Sequence, residues 1–164
     1  EDAIGRTWQT GTIQLDFAMP ERFNLEYIGE NGKQERPVMI HRVIFGSIER
    51  FIGILTEHFA GAFPIWLAPI QAIVLPISDK HIEYAKKIFE ELQTAGIRIE
   101  FDQRNETIGR KIRESEIQKI PYMLIVGDKE IESNKIATRK YGEGDLGQKT
   151  IVEITKEILE SNNE

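Results

Sequence analysis

The sequence contains no cysteine in its 164 residues, and only three histidines, His41, His58 and His81. Disulfides and thiolate metal sites are therefore excluded, and those three are the only imidazoles that could ligate a metal. No apolar run approaches the roughly 20 residues that cross a bilayer. The opening EDAIGRTWQT lacks the basic and apolar regions of a signal peptide. An excess of positive charge is lacking too: the formal net charge is −6, so any nucleic-acid binding would have to rely on local basic islands. These absences fit a soluble, cytoplasmic protein. There is no internal repeat and no low-complexity tract. With no initiator Met, and a half-buried strand pattern within a few residues of Glu1, the chain reads as a piece whose beginning lies elsewhere.

What is present has a clear order. Apolar and polar residues alternate from Gly11 to Phe17, and Leu25 to Ile28 and Val38 to Phe45 are further strand candidates. Asn31-Gly32 predicts a hairpin between the last two. Ser47 is placed to cap a helix in which Ile48, Phe51, Ile52, Leu55 and Phe59 recur at helical spacing, closed by Gly61. The prolines of FPIWLAP, Phe63 to Pro69, flank an exposed-looking Trp66 and mark a domain boundary, with domains expected over 1–66 and 67–164. Beyond it, Gln71 to Ile77 is a buried-strand run, Asp79 to Ala95 a helix ended by Gly96, and Ile97 to Phe101 a strand. Thr107 to Gln118 is helical, Tyr122 to Val126 a buried strand, Lys135 to Tyr141 an edge strand. Lys149 to Glu160 is a closing helix with Ile151, Ile154, Ile158 and Leu159 inward. The order β-α-β-α-β-β-α predicts an α/β fold with mostly parallel central strands covered on both faces.

Several residues could carry chemistry. Arg50 falls at the third position of the Ser47-capped helix, where free backbone N–H groups and the helix dipole favour an anion. A planar guanidinium there suits phosphate or a flat base, and an exposed pairing with Glu49 or Glu57 is the competing reading. His41 stands among Val, Met and Ile, which also suits a hydrogen-bonded core residue. Zinc needs three or four protein ligands, and His58 and His81 lie on helices with no pairing pattern. In QRNETIGRKIR, Arg104, Arg110, Lys111 and Arg113 stand against the single acid Glu106, with Asn105 at a strand end where open α/β sheets bind ligands. Lys135, Arg139 and Lys140 form a second island. Together they could grip phosphates and read unstacked bases; separately, each could be a solvated face.

With those residues in view, the sequence resembles the C-terminal part of the threonyl-tRNA synthetase family, class II aminoacyl-tRNA ligases. The likeness spans essentially the whole chain and is carried by WQTGTIQLDF, RPVMIHRVIFGSIERFIGILTEHFAGAFPIWLAP, RNETIGRKIRE, PYMLIVGDKE and DLG. It implies an α+β remnant followed by an α/β domain. The remnant is the end of an antiparallel-sheet catalytic domain carrying motif 3, and the rest is a three-layer anticodon-binding domain with a mixed, mostly parallel sheet.

The resemblance also implies roles. His41 matches a ligand of the catalytic zinc that grips threonine, and Arg50 matches the motif 3 arginine that stacks on adenine and neutralises the triphosphate. Gln9, with Arg50 a catalytic candidate, lines the ATP and threonine pocket together with Thr12, Gln14 and Ser47. Asn105, Arg113, Glu130 and Arg139 match anticodon contacts, with Arg110, Lys111 and Lys119 as backbone contacts. Thr10 departs from a cysteine common in the family at a position that is not a ligand. Zinc, ATP with Mg, threonine and threonine tRNA are thus implied for the parent enzyme. It would be a homodimer whose interface, other zinc ligands and motifs 1 and 2 precede this chain; the piece alone is expected to be inactive, with a monomeric state open to it. A stand-alone non-catalytic tRNA-binding or regulatory module is the rival reading, and a C-terminal domain binding a small molecule or a protein is a third.

Overall fold

Alternation in the first stretch produces β1 (Thr12–Asp16), whose end is turned by its own last residue. The Asp16 Oδ1 accepts the N–H groups of Ala18 and Met19 at 2.8 and 3.0 Å and starts α1 (Ala18–Arg22). The sequence reading missed this helix, which is one turn long and contains Pro20, tolerated there because a first-turn N–H needs no helical acceptor. The structure, a computed structural model, describes residues 1–161. Its contacts divide the chain into two units, Glu1–Ala60 and Gly61–Glu164.

In the first unit the Asn31-Gly32 turn joins β2 (Tyr27–Ile28) to β3 (Gln34–Glu35), not to the 38–45 segment as expected. Pro37 has no N–H and follows β3 almost at once, so the ladder stops after two residues. The next strand, β4 (Met39–Val43), pairs antiparallel with β1 instead, with Gln14 opposite His41. Gly46, at φ +68°, then turns the chain into α2 (Ile48–His58); a Cβ there would meet the Arg50 Nη2 at 2.8 Å. Ser47 caps that helix, its Oγ 3.5 Å from the Arg50 N–H.

The second unit is a five-stranded sheet of order β6-β5-β7-β8-β9. β5 (Ala72–Pro76), β6 (Ile99–Phe101) and β7 (Tyr122–Val126) run parallel, as their apolar runs predict; β8 (Ile136–Lys140) and β9 (Gly144–Lys149) are antiparallel. Alternation along the strands gives the sheet two apolar sides. Ala72, Val74, Tyr122, Leu124 and Val126 pack with α3 (Ile82–Thr94) and α6 (Ile151–Glu160). Ile73, Leu75 and Met123 pack with Ile108 and Ile112 of α4 (Ile108–Ile117) on the other.

Three expectations fail here. The segment at 135–141 is not an edge: β9 lies outside β8. Its sequence GDLGQK, with positive φ at Gly144 and Gly147, reads as turn rather than strand. A short helix, α5 (Asp128–Ser133), intervenes between β7 and β8, too brief to show periodicity. Leu159 is 37 % exposed while Ile154 and Ile158 are fully buried, because Leu159 lies 100° around the helix from its neighbour. The FPIWLAP segment is tied to the second unit. The Arg98 guanidinium donates to the carbonyls of Ile65, Trp66 and Ala68 at 2.9 to 3.1 Å.

Candidate functional site

Each unit gathers one group of the candidate residues. In the first, the β1 and β4 register puts Thr12 and Gln14 on the same side of the ladder as His41, with Gln14 directly across from it. The His41 Nε2 lies 2.9 Å from the Asp16 Oδ2. A carboxylate only accepts, so Nε2 carries a proton, and in the neutral imidazole Nδ1 keeps its lone pair. The Met19 N–H foremost, then His41, hold the Asp16 carboxyl below its ordinary range. Arg42 sits opposite Ile13, on the other side of the ladder.

Arg50 enters from the first turn of α2 and is held from two directions. Its Nη2 donates to the Gln9 carbonyl at 3.2 Å, and its guanidinium lies 5.6 Å from the centre of the Trp8 ring. Arg6 lies 5.3 Å from the same ring. Trp8 and Arg6 are in turn tied to Asp2, whose carboxylate accepts from the Trp8 Nε1 at 2.9 Å and the Arg6 Nε at 2.6 Å. Burial pushes the Asp2 carboxyl up, but the bonds from Trp8, Arg6 and Ile4 outweigh it and leave it well below the carboxylate range. Neither rival partner takes Arg50: Glu49 accepts from the Ser47 hydroxyl at 2.8 Å, and Glu57 lies 3.8 Å from Arg6. Asp2, Arg6, Trp8 and Asp16 were not picked out from sequence. The Asp2 and Arg6 spacing of four was the available signal.

Among the described residues no group of three or more His, Cys, Asp or Glu side chains could hold a metal ion. His41 with an open Nδ1 has the chemistry of one zinc ligand, oriented by a carboxylate on its other nitrogen. One imidazole is not a site. His81 is buried, its Nδ1 accepting the Ser78 N–H at 3.1 Å and its Nε2 3.2 Å from Asp128, and His58 packs edge-on against Phe59.

In the second unit the first basic island is largely neutralised by acids that lie close to it in sequence. Arg104 pairs with Asp102 and Glu114, each at 2.7 Å, and Arg110 pairs with Glu106 and Glu114 at 2.7 and 2.9 Å. The bonds from Arg110 and then Arg104 hold the Glu114 carboxyl below its ordinary value. Lys111 leaves the island altogether. It is 3 % exposed, and its Nζ donates to the Pro76 and Asp102 carbonyls, each at 3.1 Å. That spends the ammonium on the strand ends rather than on solvent. Asn105 and Arg113 are exposed, on the loop before α4 and on α4; Lys119 is half-buried at φ +57° just past it.

Glu130 and Arg139 lie deeper. The Glu130 Oε2 accepts the Gly127 N–H at 3.0 Å and its Oε1 accepts from the Gln148 Nε2 at 2.7 Å, with the residue 8 % exposed. Arg139 pairs with Met123 and so points to the α4 side of the sheet, its Nη2 3.8 Å from Glu116. Its Nε is buried with no hydrogen-bond partner, a donor a native fold seldom leaves unused. Lys140, from the second island, pairs with Glu143 at 2.6 Å.

The second unit is thus a mixed sheet with helices on both faces, and the first an antiparallel ladder followed by a helix that carries Arg50 in its first turn. The anticodon binding domain family matches residues 71–161, more than half of the chain, and the chain belongs to it. The class II tRNA synthetase core domain (G, H, P, S and T) matches residues 2–59. Similarity is high to threonine–tRNA ligases. The enzyme of Carboxydothermus hydrogenoformans is 63 % identical over 97 % of this chain, and that of Caldanaerobacter subterraneus subsp. tengcongensis 65 % identical over 97 %. The chain spans about a quarter of each relative, 25 % in both cases. Among solved structures, the RNA-binding domain of threonyl-tRNA synthetase from Cryptosporidium parvum Iowa II superimposes with a TM-score of 0.82 at 41 % identity, over 98 % of this chain and 40 % of that one. Prolyl-tRNA synthetase from Cryptosporidium parvum shares the fold, with a TM-score of 0.75 at 23 % identity over 98 % of this chain and 34 % of that one. The sequence-level assignment to a class II synthetase family and the α/β fold class both hold.

Proposed function

We propose that this chain is the C-terminal part of a threonine–tRNA ligase, with a catalytic remnant over 1–66 and an anticodon-reading domain over 67–164. The parent would form threonyl-adenylate from threonine and ATP with Mg, then pass threonine to its tRNA in the cytoplasm as a homodimer. The observation that best supports RNA reading is the α4 side of the sheet. There a buried Arg139 Nε without a partner lies on the same side as a Glu130 carboxylate held at both oxygens. Arg139 and Glu130 read bases, Asn105 and Arg113 extend the contact, and Arg110 and Lys119 meet the backbone. Lys111 supports the sheet instead.

In the first unit the exposed Arg50 presents a planar cation to adenine and triphosphate, steadied by Trp8 and the Gln9 carbonyl. Gln14, Thr12 and Ser47 line the same pocket. His41 would be one of the ligands of a zinc ion, which when bound grips the amino and hydroxyl groups of threonine. Asp16 keeps the imidazole in the tautomer that leaves Nδ1 open. Catalysis of this kind is alignment and charge stabilisation, and a quarter of the enzyme supplies only part of it. Threonine-dependent ATP–pyrophosphate exchange by the purified chain is expected to be absent.

Titration with a threonine-tRNA anticodon stem-loop at two salt concentrations tests the reading. Binding is expected to weaken in Arg139→Ala with an unchanged salt slope, the signature of a base contact, whereas Lys119→Ala, at a backbone contact, lowers the slope by about one. No binding at low salt would overturn it. A stand-alone RNA-binding module would also bind the stem-loop but has no use for His41, Ser47 and Arg50. Zinc ligands and motif 2 encoded upstream support the ligase, and a start codon near Glu1 supports the module.

A further inference from the structure

Between β8 and β9 the register shifts: Ala137 pairs with Gln148 and Arg139 with Asp145. Two residues of β8 thus span three of β9. In a regular strand, positions three apart face opposite ways. The extra residue turns both Gln148 and Asp145 to the side of the sheet that carries Ala137, Arg139 and α4. Gly147, at φ +79°, donates its N–H to the Asp145 Oδ1 at 2.8 Å and fixes this local shape. An edge strand that sequence alone does not reveal therefore delivers one neutral amide to the Glu130 carboxylate, 2.7 Å away.

That bond is chemically selective. A carboxylate has about four acceptor positions. Gly127 occupies one on Oε2 and Gln148 one on Oε1, so acceptor capacity remains on a group whose rotation is stopped at both oxygens. A lysine or arginine in place of Gln148 would neutralise Glu130 and compete for the same lone pairs. An amide orients the carboxylate and leaves its charge intact. A charge-assisted hydrogen bond from a base N–H is roughly twice as strong as a neutral one, so keeping the charge favours recognition of a base that offers a donor there.

We propose that Gln148 is a positioning residue for base recognition, fixing Glu130 as the acceptor for a nucleobase N–H next to Arg139. The proposal rests on the anticodon-binding reading above. The test uses the purified chain, the threonine anticodon stem-loop and three versions each with one anticodon base replaced, with dissociation constants taken by fluorescence anisotropy at two salt concentrations. For Gln148→Leu the cognate affinity falls about five- to tenfold, the size of one lost hydrogen bond. Preference over one of the replaced stem-loops shrinks by the same factor, and the salt slope stays as in the wild type. Gln148→Glu loses more, because it sets two carboxylates against each other. Should Gln148→Leu fail to fold, Gln148→Asn, with an amide too short to reach, carries the same expectation. A folded variant with unchanged discrimination, while Glu130→Gln loses it, overturns the role of Gln148 and leaves anticodon binding standing. An equal loss for every stem-loop marks Gln148 as a structural prop and overturns the proposal. A wild-type chain that binds none of the stem-loops removes both readings.

Discussion

Between Glu1 and Ala60 only Asp2 and Pro20 fall in the buried class, whereas the second unit encloses all five residues of β5. Apolar content does not explain the contrast. Ile13, Leu15 and Ile40, which share one side of the β1 and β4 ladder, are 62 to 70 % exposed, and α2 buries none of its residues. An amphipathic pattern yields a core only where a second layer meets it, and a two-stranded ladder has no stability to spare. In the second unit two layers meet the sheet, so similar residue types become fully enclosed.

The largest expected effect of this difference is in amide exchange. Amides of β5 and β7 should exchange at least about a thousandfold more slowly than those of β1 and β4, a gap of about 4 kcal/mol in opening free energy. Equal protection across both units would break the comparison. Next comes the cost of cavities. Leu92→Ala removes a fully buried side chain and should cost about 2–5 kcal/mol by denaturant titration, while Ile13→Ala, already in water, should stay within about 0.5 kcal/mol. Similar values at the two sites would mean the first ladder is covered in solution.

A smaller effect separates buried from exposed cations within the second unit. Lys111→Met leaves the Pro76 and Asp102 carbonyls without their donor and should cost about 1–3 kcal/mol. Its stem-loop salt slope should not change, whereas a fall of about one unit would return Lys111 to the phosphate contacts. The smallest is a pH effect. Burial foremost, then the bond to Glu157, pushes the Tyr122 hydroxyl well above its ordinary value. A group favoured as protonated in the fold contributes fully below its unfolded pKa near 10 and loses that contribution as pH rises further. The melting temperature of the second unit should therefore fall above about pH 10, and less steeply in Tyr122→Phe. An identical alkaline slope in the two proteins would remove Tyr122 as the cause.

Much was legible because it is local. The buried runs at Ala72 to Pro76 and Tyr122 to Val126, and the cap at Ser47, follow from side-chain period and from a hydroxyl that accepts one of the first free N–H groups. The candidate residues were found by type and by family likeness. Their surroundings were not. From spacing, Arg104, Arg110, Lys111 and Arg113 look alike; in the fold two are neutralised by acids, one is buried under strand ends and one is exposed. Likewise the partner of β4 was misread because Pro37, a few residues past an otherwise persuasive turn, ended the ladder early.

By itself, then, the order of residues determined the periods, the helix starts, the parallel core strands and which side chains had the chemistry to bind an anion or a base. Tertiary structure alone decided which lysine went inside, that Gln148 reaches Glu130, and that one set of apolar residues became a core while the other stayed wet. The physical reason is range: hydrogen-bond caps and side-chain period act over a few residues, whereas burial depends on groups that come together only when distant segments stack.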